Sequence, residues 1–242
     1  MQDVFKWLAD QSDRAAWPPS VGYKFHTNGE VRYFPGNTII CPLTRAEPGL
    51  CAAVSLAQDR LKAAAFAAAY SFLPPDSFHM TMFEGVLEEK RRPELWPADL
   101  PLDAPLDEVT AHFATKLRTL PFERTFWMRC RGLSLSASGG LQVDLVPADA
   151  ASEQTLSLSR DRLADLLQYR APNHASYGFH ISLAYLVKWL ADEQLELLRA
   201  ALAAGSAALA RSIDTVTLGP AYLTRFDTMY RFEPVLALGD RE

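Results

Sequence analysis

The order of apolar and polar residues along the chain predicts both helices and strands. Apolar residues recur at helical spacing in residues 4–8, which predicts a short amphipathic helix ended by residues 17–19, Trp-Pro-Pro. The stretch YKFHTNGEVRYF that follows alternates on both sides of Asn28-Gly29. It predicts a β-hairpin with a type I′ turn, because Asn-Gly tolerates positive φ at both central positions.

The next hundred residues predict a strand, a helix and a second strand, and then a loop, a helix and a further strand. Prolines at 74 and 75 and throughout residues 93–105 mark the breaks between these elements. In chain order the elements are a strand in NTIICPL, a helix from Cys51 to Tyr70, a strand in FHMTMFEGV, a proline-rich loop from Pro93 to Pro105, a helix near Leu106 to Leu120 and a strand around Thr125 to Cys130.

The second half repeats this order, with a hairpin in RGLSLSASGGLQVDLV, a helix from about Ser152 to Tyr169 and a strand in GFHISLAYL. A helix near Asp192 to Ala204 and a strand pair from Ile213 onward follow. The distance from the first strand of each half to its histidine is similar, since Ile39 lies 40 residues before His79 and Val143 lies 37 residues before His180. The economical interpretation is an internal duplication.

The mixture of helices, strands and hairpins predicts an α+β fold of two similar lobes. Residues 1–36 form the predicted N-terminal extension, with its helix and hairpin. Residues 37–242 form the predicted single bilobal domain, in which the lobe repeats cover about 37–130 and 131–220.

Each repeat contains a histidine followed two positions later by a hydroxyl residue, in FHMTMF at 78–83 and in FHISLA at 179–184. Residues two apart on a strand point to the same face, so His79 shares a face with Thr81, and His180 shares one with Ser182. If a pseudo-twofold axis relates the lobes, the two polar faces meet across one central cleft.

Two imidazoles and two hydroxyls around one point suit the cleavage of a phosphodiester. A neutral imidazole can take a proton from the attacking hydroxyl or water, while a protonated one gives a proton to the leaving oxygen. Histidine populates both forms near neutral pH. The hydroxyls of Thr81 and Ser182 can donate to the non-bridging oxygens. The scheme requires no metal and no other cofactor.

These two strands resemble those of the two-histidine (2H) phosphoesterase superfamily, which includes 2′-5′ RNA ligase-like proteins and cyclic phosphodiesterases. The motif matches His79 and His180 as catalytic residues and Thr81 and Ser182 as substrate-binding residues, and the layout covers most of residues 37 to 220. The resemblance implies two pseudo-symmetric lobes of antiparallel sheet with outer helices, and substrates such as 2′,3′-cyclic phosphates or 2′,5′-linked nucleotides. The N-terminal extension is similar to that of an uncharacterised bacterial subgroup.

Charge and composition limit the partners further. A net charge of −5 and a pI near 5.6 argue against coating long nucleic acid, which needs many Lys and Arg. We therefore expect a small nucleotide or RNA-end substrate. Three cysteines without a C-x-x-C pair, and no secretory signal or long apolar segment, indicate a cytoplasmic protein without a membrane partner.

Two other functions stay open at this point. The same cleft could bind a phosphorylated ligand or RNA end without turning it over. A metal site formed by His79, His174 and His180 lacks the close ligand spacing of known motifs. His174 begins a third H-x-S, but in a turn-like segment, APNHASYG.

Several other polar and aromatic residues are weaker candidates for substrate contact. They comprise cations that could neutralise a phosphate and tyrosines that could stack on a base or ribose: Lys24, Arg32, Arg225, Tyr23, Tyr33 and Tyr222. His26, next to the predicted turn, and His112, in a predicted helix, are expected to be structural or exposed.

Overall fold

The computed structural model describes residues 2–10, 12 and 14–239. In this part of the chain, nine strands form one antiparallel sheet and five α-helices accompany it. The helices are α1 Gln2–Ala9, α2 Pro48–Lys62, α3 Leu106–Leu117, α4 Ala150–Leu167 and α5 Asp192–Ser212. The strands are β1 Gly36–Pro42, β2 Tyr70–Phe72, β3 His79–Leu87, β4 Phe126–Leu135, β5 Leu141–Pro147, β6 His180–Leu186, β7 Thr215–Leu218, β8 Tyr222–Thr228 and β9 Arg231–Ala237.

The strand order explains the two-lobed architecture. The sheet runs β7-β4-β5-β6-β3-β1-β8-β9, with β2 paired to β6. The two halves meet between β3 and β6, through one bridging pair, Met80 opposite Ile181. The predicted α+β fold, with two pseudo-symmetric antiparallel lobes and outer helices, is confirmed.

The hydrophobic core lies between the helices and one face of the sheet. Met80 and Met82 of β3 and Ile181 and Leu183 of β6 are all fully buried there. Their neighbours in sequence, at 79, 81, 180 and 182, are only half-buried. The apolar interleaving of the motif therefore anchors each strand to the helical layer and leaves its polar side chains on the opposite face.

The helix predicted from Cys51 to Tyr70 has the wrong limits. Helix α2 starts at Pro48, a residue suited to the first helical turn, and ends at Lys62. Tyr70 instead begins β2 and pairs with Leu186. The alanine-rich composition favours a helix throughout this stretch, but that propensity is weak compared with strand pairing.

The hairpin predicted around Asn28-Gly29 is reduced to one antiparallel bridge, between Phe25 and Val31. Gly29 has φ 87°, whereas Asn28 does not have a positive φ, so the predicted type I′ turn is wrong. The Gly29 N–H donates to the His26 carbonyl at 3.0 Å. These features fit a longer loop in which only the glycine needs the left-handed region.

Strand β4 combines the strand predicted near 125–130 with the first arm of the next hairpin. The pairing with β5 shifts at Gly132, which has φ 105° and lies against Ser206. The expected boundary between the repeats, at 130 and 131, falls inside this strand. The division of the chain into repeats at those residue numbers stays a prediction.

Candidate active site

All four residues of the paired motif line one cleft of about 910 Å³. The cleft lies on the face of the sheet where β3 and β6 meet, opposite the helical layer. His79, Thr81, His180 and Ser182 reach it from the two halves of the sheet. The structure thus brings together the side chains that the sequence placed on separate strands.

The register across the junction determines how these residues face each other. Because Met80 lies opposite Ile181, the antiparallel register brings Thr81 next to His180 and Ser182 next to His79. Side chains opposite each other on such strands are about 5 Å apart, and diagonal ones about 7–8 Å. Each imidazole therefore has the other strand's hydroxyl residue as its neighbour, and the two imidazoles are diagonal.

The neighbouring strands repeat this arrangement. Cys41 of β1 lies opposite Met80, and Val143 of β5 lies opposite Ile181. The paired residues are 39 positions apart in the first half (80 minus 41) and 38 in the second (181 minus 143). The strand register therefore makes Cys41 the equivalent of Val143. The sequence offsets had suggested Ile39 instead, two positions earlier.

Both imidazoles are held by the same type of hydrogen bond. His79 Nδ1 donates to the Ser77 carbonyl at 2.6 Å, and His180 Nδ1 donates to the Gly178 carbonyl at 2.9 Å. A carbonyl only accepts, so Nδ1 carries a proton in both rings. When neutral, each ring therefore has its lone pair on Nε2.

His79 has the more hydrophobic surroundings. Its ring meets the Phe232 ring edge-on, with centroids 4.3 Å apart. Burial lowers the pKa of His79 to about 4, the hydrogen bond to Ser77 opposes this change, and the positive charges of His180 and Lys24 lower the pKa further. His79 is therefore a neutral imidazole at pH 7.

The lowered pKa predicts acid sensitivity. Between pH 6.5 and 4 the unfolded chain binds a proton that folded His79 does not, so the free energy of unfolding decreases as the pH falls. The decrease amounts to about 1.4 kcal/mol for each pH unit at most. Between pH 6 and pH 4.5, the free energy of unfolding should fall less in His79→Asn than in the wild type. We expect the difference to reach up to about 2 kcal/mol. Urea unfolding at both pH values measures this difference, and parallel losses in the two proteins would contradict it.

Two matching β-bulges bring further residues to the cleft. One extra residue enters β3 between Thr81 and Phe83, and one enters β6 between Ser182 and Ala184. A bulge reverses the alternation beyond it. Phe83 and Ala184 are consequently buried, while Glu84 and Tyr185, each five residues after a motif histidine, line the cleft.

Two buried side chains hold these bulges in place. Arg160 of α4 donates to the carbonyls of Met82, at 2.6 Å, and of His174, at 3.2 Å. Gln58 of α2 donates to the carbonyls of Leu183, at 2.9 Å, and of Leu73, at 2.7 Å.

The two sets of contacts are equivalent. For Arg160, Met82 lies three residues after His79, and His174 lies six residues before His180. For Gln58, Leu183 lies three residues after His180, and Leu73 lies six residues before His79. Arg160 and Gln58 therefore each tie the bulge of one lobe to the segment that leads into the histidine strand of the other.

Known proteins share both the sequence family and the fold. The family model described as 2H-phosphodiest, a domain of unknown function (DUF1868), matches residues 24–139, which include His79 and Thr81. A crystal structure of a conserved protein of unknown function, ATU0111 from Agrobacterium tumefaciens, is 31% identical with a TM-score of 0.89. The match covers 99% of this chain and 100% of that one. The chain belongs to the 2H phosphodiesterase family.

Two other solved structures align more weakly with this 2H protein. TT0787 of Thermus thermophilus is 15% identical with a TM-score of 0.46, and a protein named only as a phosphoesterase is 12% identical with a TM-score of 0.48. Each match covers 85% of this chain and 99% of the other. No curated protein matches the chain.

Of the weaker candidates in the 2H protein, Lys24 alone lines the cleft. Its ammonium donates to the Tyr185 hydroxyl at 3.2 Å and lies 4.7 Å from the centre of that ring. The remaining candidates lie elsewhere. Arg32 bonds backbone carbonyls, Arg225 pairs with Asp107, Tyr23 packs on Phe34, Tyr33 is exposed and Tyr222 lines a separate pocket.

The other histidines do not reach the cleft. His174 is buried and its Nε2 lies 3.0 Å from Asp161, while His112 lies 2.8 Å from Asp99 on the surface. His26 is exposed. Within the described residues, no group of three or more His, Cys, Asp or Glu could hold a metal ion. None of the described helices has the length and apolar character to span a bilayer.

Proposed function

We propose that this 2H protein is a phosphodiesterase that hydrolyses a 2′,3′-cyclic phosphate, or the related 2′,5′ linkage, of a small nucleotide or RNA end. The family relationship supports a phosphoesterase. The observation that carries the proposal is the matched anchoring of His79 and His180, which leaves two Nε2 atoms for the same substrate in one cleft.

The two histidines take different parts in the reaction. His79 is neutral, so its Nε2 accepts the proton of the attacking water. His180 in its protonated form donates from Nε2 to the ribose oxygen as the bond between that oxygen and phosphorus breaks. The product is a nucleoside 2′- or 3′-monophosphate. At the end of the step the proton is on His79 and His180 is neutral, and exchange with solvent restores the starting state.

The charge on the non-bridging oxygens is stabilised by groups from three segments. Thr81 and Ser182 donate from their hydroxyls, and the Lys24 ammonium supplies a positive charge from the N-terminal part of the chain. Within the described residues, no carboxylate lies within ion-pair distance of Lys24. Its charge is therefore directed to an anionic ligand.

The test is product analysis with purified protein. We expect 2′,3′-cyclic nucleotides, and more slowly a 2′,5′-linked dinucleotide, to yield monophosphates at the same rate with and without EDTA. Chromatography that separates 2′- from 3′-monophosphates measures the products. Protection against thermal unfolding by these nucleotides without any product would show a binding module instead. If EDTA abolished the activity and a divalent metal restored it, proton transfer by the two histidines would not be the whole mechanism.

A further inference from the structure

Charged groups of both signs line the cleft. Strands β3 and β6 are antiparallel, so Glu84 and Tyr185, each five residues after a histidine, lie in opposite directions from the junction. The Lys24 ammonium donates to the Tyr185 hydroxyl. Burial raises the pKa of the Tyr169 and Tyr177 phenols, and Glu84 lies close enough for its charge to raise both further.

Glu84 has an unused hydrogen-bonding capacity. Its side chain lines the cleft, yet its buried Oε2 atom has no hydrogen-bond partner. A buried carboxylate oxygen without a donor costs free energy, so such a group requires an explanation. Arg160, the nearby cation, uses its guanidinium on the backbone carbonyls of Met82 and His174.

We infer that Glu84 binds the base of the substrate, and that the base is guanine. This inference rests on the proposed function. A carboxylate accepts hydrogen bonds and donates none. Among the common bases, guanine presents two adjacent N–H donors, N1–H and the 2-amino group, on one edge, which matches the two oxygens of a carboxylate.

The distance fits a base rather than a ribose hydroxyl. Glu84 lies three residues beyond Thr81 along β3, which corresponds to roughly 7–10 Å once the bulge is allowed for. With the phosphate held between the imidazoles, the base lies one ribose away and reaches this position. The 5′-hydroxyl lies closer to the phosphate.

The same orientation agrees with the two proton transfers. The register places His180 next to Thr81, on the side of the junction toward which β3 runs to Glu84, and His79 on the other side. A nucleoside bound toward Glu84 presents its leaving ribose oxygen to His180. The water then attacks phosphorus from the opposite side, where neutral His79 accepts its proton.

The test compares guanosine and inosine 2′,3′-cyclic phosphates, which differ only in the 2-amino group. We expect the wild type to prefer guanosine by about 10- to 100-fold in kcat/KM, because hydrogen bonds to a charged group contribute about 1.5–3 kcal/mol. Glu84→Gln should lose most of this preference, and its loss of kcat/KM should be smaller on inosine, which offers Glu84 only N1–H, than on guanosine. Its stability should not fall, because the replaced oxygen makes no hydrogen bond. Glu89→Gln, which changes an exposed residue just after the end of β3, is the matched control.

Two outcomes would overturn the inference. One is an equal effect of Glu84→Gln on all cyclic nucleotides, which would indicate a sugar hydroxyl as the donor. The other is no effect on any of them.

Binding of guanosine and inosine 3′-monophosphates, measured by calorimetry, keeps the test separate from turnover. If no nucleotide is hydrolysed but Glu84-dependent discrimination persists in binding, the proposed function fails and the guanine site stands. If discrimination is absent there as well, the guanine site is wrong.

Discussion

Replacing either His79 or His180 by asparagine is expected to lower kcat for a 2′,3′-cyclic nucleotide by about 10²- to 10⁴-fold. The asparagine amide can still donate to the carbonyl of Ser77 or Gly178, which now accepts from Nδ1. The variant therefore removes Nε2 and keeps the backbone anchor. Steady-state kinetics measure the loss, and the unfolding midpoint in urea at pH 7 shows whether the fold is kept.

Two further measurements make this prediction specific. Because both imidazoles act on one step, the double variant should be little slower than the slower single variant. His112→Asn is the matched control, since this ring lies at Asp99 outside the cleft and its loss should leave kcat unchanged. Full activity in either His79→Asn or His180→Asn would exclude the paired mechanism.

Replacing Arg160 by methionine is expected to lower the free energy of unfolding by about 3 kcal/mol, because two buried carbonyls lose their donor. Arg160 is 4% exposed, and its guanidinium also lies 4.5 Å from the centre of the ring of Tyr177, whose hydroxyl is hydrogen-bonded to Thr81. We also expect kcat to fall by about 10- to 100-fold with little change in KM, since Arg160 positions the cleft residues without lining the cleft. Urea unfolding and steady-state kinetics on one preparation measure both effects.

Arg170→Met is the control for loss of an arginine from the same region. Arg170 pairs with Asp161 and Asp165 on the surface, where such pairs contribute only about 0–1 kcal/mol. Arg160→Lys should recover part of kcat, because an ammonium can still reach one of the carbonyls. A kcat unchanged in Arg160→Met, in a protein that remains folded, would show that the bulge is held without this contact.

The paired motif was predictable because alternation along a strand is a local property. His79 and Thr81 share a face in any extended backbone, and so do His180 and Ser182, since the intervening apolar residues require burial on the other side. The repeated order of elements then indicated that the two strands belong to equivalent units. These two signals gave the fold class and the four motif residues.

Glu84 and Tyr185 were missed because a bulge changes the alternation without an unambiguous mark in the sequence. Simple alternation places Phe83 with His79 and Thr81, places Ala184 with His180 and Ser182, and turns Glu84 and Tyr185 to the other face. A signal existed in the repeated pattern of histidine, apolar, hydroxyl, two apolar residues and a polar residue, in HMTMFE and HISLAY. Gln58 and Arg160 carried no such signal, because their partners are backbone carbonyls of distant segments.

The sequence by itself determined which faces of two strands are polar, because side-chain direction and the burial of apolar residues follow from local geometry. Only the tertiary structure decided that Met80 lies opposite Ile181, and hence which hydroxyl lies beside each imidazole. It also decided that Lys24 and Glu84 line the same cleft. Register and strand order depend on contacts between residues about a hundred positions apart, and these are set by the packing of the whole sheet rather than by any local pattern.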